Sequence, residues 1–145
     1  MVGIVVTGHG RVASSFVQAA ADIMGKLEGV VAVDILKSYT AEEIKRRMEE
    51  ALEELKDVDG VLILAELFGG SSCNVALSLA GKAEVRVLTG LNMPMLLKAI
   101  TYKDILPLEK LAEVVLEAGR QGILDATAKC LAISKQSEEG AEDGR

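Results

Sequence analysis

The chain has 145 residues, half of them hydrophobic but only 3% aromatic, and a formal net charge of −6; that length suits one domain, and the aliphatic bias suits strands covered by helices on both faces. The acidic balance excludes a phosphate-neutralising nucleic-acid groove. No apolar run approaches the ~20 residues that cross a bilayer, and the N-terminus carries no signal-peptide pattern, so a cytoplasmic protein with no direct membrane insertion is expected.

Val2 to Thr7 is a continuous apolar run, the pattern of a strand buried on both faces. Val12, Phe16, Ala19, Ala20 and Ile23 then recur at helical spacing up to Gly25, and "VVAVDIL" reads as a second strand. Thr40 stands three residues before Glu43, a capping box that opens a helix carrying Ile44, Met48, Ala51, Leu52 and Leu55 on one face. Glu42 with Arg46 and Glu43 with Arg47 are spaced to support its wet face. "GVLILA" is a third strand, followed by a glycine turn at Gly69 and Gly70 and a helix to about Ala80. "EVRVLT" is a fourth strand, and "GLNMPML" leads into a short helix that Asn92 can cap before Pro94. Pro107 opens a further helix with Leu108, Leu111, Ala112, Val115 and Ala118 on its buried stripe and Gly122 near its end.

The C-terminal region differs in kind. "LDATAKCLA", Leu124 to Ala132, alternates apolar and polar residues with period two, which predicts a half-exposed edge strand open to pairing with a second subunit. Beyond it, "KQSEEGAEDGR" is polar and acidic and is expected to be a disordered tail over residues 134–145, leaving residues 1–133 as the folded domain. Cys73 and Cys130 are expected to be free thiols, and a chain with one histidine and no C-x-x-C has no metal-site spacing. No metal or cofactor is expected.

Alternating strands and helices imply right-handed crossovers, and in such open sheets ligands bind beyond the carboxyl ends of the strands where the order reverses. His9 follows the first strand and "ELFGGSSCN" follows the third. A strand order of 2-1-3-4 would bring His9 to Glu66. A carboxylate that accepts one ring N–H of an imidazole holds the tautomer and leaves the other nitrogen with a free lone pair, a nucleophile. Beside it, Gly69 and Gly70 permit close backbone approach, and Ser71 or Ser72 would cap the next helix, whose first N–H groups favour an anion. A phosphoryl group on His9 fits this setting.

"GHGRVASSF", "DGVLILAELFGGSSCNVA" and "TGLNMPMLLKAI" resemble, in order and spacing, the mannose-family (mannose/fructose/sorbose) IIA components of the bacterial phosphoenolpyruvate-dependent sugar phosphotransferase system. The resemblance covers roughly residues 1 to 133. It implies that His9 is phosphorylated by the phosphocarrier HPr and passes the group to a IIB component, here on a separate chain. It gives Glu66 the task of orienting His9, and it implies an open, mainly parallel sheet of order 2-1-3-4 with a C-terminal antiparallel strand, Leu124 to Ala132, exchanged in a homodimer. The family usually has aspartate where Glu66 stands, serine where Gly8 stands, and proline where Ser72 stands. Gly8 and Gly10 are expected to leave room for a docking carrier protein.

Other readings compete with these expectations. His9 phosphorylation could switch a regulatory partner contact rather than feed sugar uptake. Glu66 could only cap its turn, and Asn92 and Cys73 could be parts of the core. Arg11 is either a solvated charge or a contact for phosphate on the incoming carrier.

Overall fold

The computed structural model describes residues 1–81 and 84–143, with side-chain environments through residue 137. The elements, in chain order, are β1 (Val2–His9), α1 (Val12–Met24), β2 (Val30–Ile35), α2 (Ala41–Glu54), β3 (Gly60–Ala65), α3 (Ser71–Ala80), β4 (Val85–Thr89), α4 (Met93–Tyr102), α5 (Leu108–Gln121) and α6 (Ala126–Asp143). The four strands form one parallel sheet in the order β2-β1-β3-β4, as expected for a chain of alternating strands and helices.

Alternation along the strands divides the core in two. From β1, Val2, Ile4 and Val6 face one layer, with Leu62 and Leu64 of β3 beside them. Ala13 and Ala20 of α1, Met95, Leu96 and Ala99 of α4, and Leu111, Ala112 and Val115 of α5 cover that side. Val5 and Ile63 face the other layer, covered by Ile44, Met48 and Ala51 of α2 and Ala76 and Leu79 of α3. Both central strands are thus buried on two faces, which is why their sequences read as unbroken apolar runs. Thr7 is fully buried within β1, and its hydroxyl is satisfied by donating to the Val33 carbonyl at 3.0 Å.

Local signals act as the sequence suggests in most places. Thr40 accepts from the Glu43 amide at 3.2 Å and starts α2. Glu43 pairs with Arg47 at 3.2 Å as spaced, whereas Arg46 pairs with Glu50 at 2.6 Å and with Glu43 at 3.5 Å rather than with Glu42. Asn92 caps α4 by accepting from the Met95 amide at 3.0 Å, and its amide donates to the Gly119 carbonyl of α5 at 3.0 Å. The NMPM segment is therefore a capped and stapled joint between two core helices.

The C-terminal segment departs from the expectation of a strand. In the single chain, Ala126–Asp143 is helical rather than paired with a sheet edge. Asp125 accepts from the Ala128 amide at 3.0 Å, a side-chain cap that starts the turn. The period-two alternation is carried largely by alanines, which are good helix formers. α6 runs on through Asp143, into the region for which a structureless tail is expected. Leu124, Leu131 and Ile133 are exposed, so this segment packs little apolar surface against its own chain.

Candidate functional site

The parallel ladder between β1 and β3 pairs Thr7 with Ala65, and one further step sets Gly8 beside Glu66, with His9 the last residue of β1, opposite Ile35 of β2. The Glu66 amide donates to the Thr7 carbonyl at 3.0 Å, extending the ladder to that residue. The expected convergence of His9 and Glu66 is present. One carboxylate oxygen, Oε2, accepts from the His9 backbone amide at 2.7 Å and lies 2.9 Å from His9 Nδ1. An ionised carboxylate only accepts, so this contact assigns the ring proton to Nδ1 and leaves Nε2 with its lone pair.

The two hydrogen bonds also act on Glu66. The backbone N–H of His9, then its ring, hold the Glu66 carboxyl below the usual glutamate range, while partial burial acts weakly in the opposite direction. Glu66 is thus an anion throughout the neutral range. The His9 side chain is 59% exposed. A cavity of 320 Å³ beside β2, lined by Arg11, Asp34, Tyr39 and Arg47 among others, does not include His9. The imidazole stands at the surface, and Arg11 faces the neighbouring cavity.

Gly69, Gly70, Ser71 and Ser72 sit where the sequence places them, with one difference in detail. Gly69 has φ +87°, a conformation that strains residues with a side chain, and it turns the chain from β3 toward α3. The residue that flanks α3 is Gly70, so Ser71 and Ser72 fall inside the first turn and neither caps it. No side chain spends a hydrogen bond on that cap, which leaves the leading N–H groups of α3 open to an external acceptor. A Cβ built on Gly70 would lie 3.6 Å from His9 Cε1, so this helix start abuts the imidazole. Ser72 is buried, and Cys73 is fully buried in the core face of α3.

One residue of the neighbourhood escaped sequence reasoning. α1 has no side-chain cap from its own flanking residue, Arg11. Asp34 of β2 supplies it instead: its two carboxylate oxygens accept from the Ser14 amide at 3.0 Å and the Ser14 hydroxyl at 2.6 Å. This carboxylate occupies the start of α1 and holds the turn after His9 against the sheet. The start of α1 is therefore closed to an anion and the start of α3 is open. The only signal in the sequence was an acidic residue inside an otherwise apolar strand.

The glycines beside His9 also separate. Gly10 has φ +56° and open space around a built Cβ, but a Cβ on Gly8 would point inward, toward Glu66 and Val12. Gly8 therefore does not serve to expose the site to a carrier.

Comparison with known proteins gives this arrangement a context. Residues 3–116 match the family model described as EIIA-man, PTS system fructose IIA component. The chain is 30% identical over 130 residues to the PTS system mannose-specific EIIAB component of Escherichia coli strain K12, an alignment covering 88% of this chain and 40% of that protein. It therefore spans less than half of that relative's length. It is 26% identical over 112 residues to the PTS system fructose-specific EIIA component of Bacillus subtilis strain 168, covering 77% of each. The fold superposes with a TM-score of 0.78 on the crystal structure of the PTS IIA protein associated with the fucose utilization operon from Streptococcus pneumoniae, at 26% identity and covering 89% of this chain and 96% of that one. The match over most of the chain, on a fold that superposes, shows that the protein belongs to the EIIA-man family of IIA components of the sugar phosphotransferase system.

Proposed function

We propose that the protein is a phosphocarrier that accepts a phosphoryl group from HPr on His9 and passes it to a IIB component on a separate chain during sugar uptake. The observation that carries this reading is the double hydrogen bond from His9 to Glu66 Oε2, because it presents Nε2 as a free nucleophile at the protein surface. Nε2 attacks the phosphorus of phospho-HPr. The P–N bond to the donor breaks as the P–Nε2 bond forms, and the released electron pair returns to the donor's imidazole. His9 keeps its Nδ1 proton, and the positive charge that develops on its ring is met by the Glu66 carboxylate.

The transferred group needs alignment and charge stabilisation more than covalent help. Gly70, Ser71 and Ser72 supply the open start of α3 on one side of the imidazole, and Gly69 makes the turn that brings it there. An exposed imidazole outside the neighbouring cavity suits a donor presented by another protein rather than a small molecule enclosed by this one. The same reading places the protein in the cytoplasm. It also includes a homodimer in which Leu124 to Ala132 is exchanged as a strand, since Leu124 and Leu131 are exposed in the single chain and β4 ends the sheet with a free edge.

Incubation with phosphoenolpyruvate, enzyme I and HPr is expected to add one acid-labile phosphoryl group, read by intact-mass measurement. No gain with cognate carriers, or a gain that persists in His9→Ala, would refute the proposal.

A further inference from the structure

Gly8 is buried at the end of β1, and its backbone is not in the left-handed region, so conformation does not demand glycine there. Volume does. A Cβ built on Gly8 would lie 2.9 Å from Glu66 Oε2, 3.0 Å from Glu66 Cβ and 3.3 Å from Val12 Cγ1, whereas non-bonded carbons rest at ~3.5–4.0 Å. The first atom it meets is the same oxygen that takes both hydrogen bonds from His9. The other glycines of the site leave that oxygen alone: Gly10 and Gly69 have open space, and a Cβ on Gly70 would meet Leu67 and, at 3.6 Å, His9 Cε1.

We propose that Gly8 is a positioning residue for His9. The missing side chain is the seat into which the longer glutamate folds back, and Gly8 and Glu66 form a size-matched pair that sets the tautomer of the imidazole. The contact with Oε2 is particular to the longer glutamate and is relieved by aspartate at position 66, whereas the 3.0 Å approach to Cβ is common to both residues and is met by a shift of a few tenths of an ångström between the strand ends. Oε2 is the far end of a flexible side chain that already reaches solvent, so Gly8→Ala pushes the carboxylate outward, while Glu66 Cβ at 3.0 Å gives by a few tenths of an ångström at the strand end. The consequence for phosphoryl transfer rests on the phosphocarrier reading, but the tautomer of His9 can be measured with no donor present.

The test is long-range ¹H–¹⁵N correlation NMR of the His9 ring, with HPr-dependent phosphorylation rates, in the wild type, Gly8→Ala, Glu66→Asp and the double variant. The wild type is expected to hold the proton on Nδ1. Each single variant is expected to lose that preference and to slow phosphorylation by ~10-fold, the scale of one lost charge-assisted hydrogen bond, and the double variant to regain most of both. A Gly8→Ala protein with the wild-type tautomer, or a double variant no better than Glu66→Asp alone, would overturn the proposal. Where Gly8→Ala fails to give a folded spectrum, the comparison of Glu66→Asp with the double variant decides by the same criterion. Tautomers that follow the expected pattern in proteins that HPr never phosphorylates would uphold the matched pair and remove the phosphocarrier reading instead.

Discussion

Replacing Glu66 by glutamine tests the division of labour on one oxygen. Glu66→Gln keeps the length of the side chain and an oxygen that can accept, and removes the charge. Of the two hydrogen bonds that Oε2 receives, the one from the His9 amide at 2.7 Å is made whether or not the ring carries a phosphoryl group. The one from Nδ1 at 2.9 Å strengthens when phosphorylation makes the ring cationic. Only the second changes the phosphorylation equilibrium; the first enters the stability of the fold. A hydrogen bond to a charged group contributes ~1.5–3 kcal/mol and a neutral one ~0.5–1.5, so the mean difference is about 1.3 kcal/mol, close to a factor of ten. The Glu66 side chain is 30% exposed, and solvent screening lowers the expected effect to about three- to tenfold. The assay mixes purified phospho-HPr with the protein at matched concentrations, without phosphoenolpyruvate, and reads the partition of phosphoryl groups by mass. Glu66→Gln should shift that partition toward HPr by this factor and lower unfolding stability by about 1 kcal/mol. A wild-type partition in a variant that folds normally would refute the assignment of Glu66 as the counter-charge to the phosphorylated ring.

Two further outcomes follow from the surroundings of the site. Asp34→Ala removes the cap that β2 lends to α1 and is expected to cost about 1–2 kcal/mol, lowering Tm by roughly 2–8 °C for a chain of this size; an unchanged melting curve would show that α1 does not depend on it. The pH dependence has a definite sign. The carboxyl of Glu66 is lowered in the folded state, so its stabilising contribution is fully present above the ordinary glutamate range and is lost as the pH falls through the lowered value. The Nδ1-bonded ring signal should therefore persist down through the ordinary glutamate range and disappear only below it; loss at a higher pH would contradict the geometry.

The sequence by itself determined the order of elements and the parallel design. Buried strands such as Val2 to Thr7 and Gly60 to Ala65 must be apolar on both faces, and amphipathic helices such as α2 carry their period and caps in the chain. The motifs around His9 and Glu66 were legible for the same reason: glycine, serine and histidine at strand ends are local signals. What only the tertiary structure decided depends on groups distant in the chain. Asp34 caps a helix that begins far before it, because β2 lies beside β1 in space. Gly70, not a serine, stands at the start of α3, so the amides there stay open. The C-terminal segment takes a helix in the single chain, its first turn capped by the Asp125 side chain, although its alternation reads as a strand. Gly8, which the sequence suggested was small to admit a carrier, is small because Glu66 fills the space beside it. Sequence patterns report which face of an element is buried, and they are silent on which distant side chain occupies a gap of one carbon.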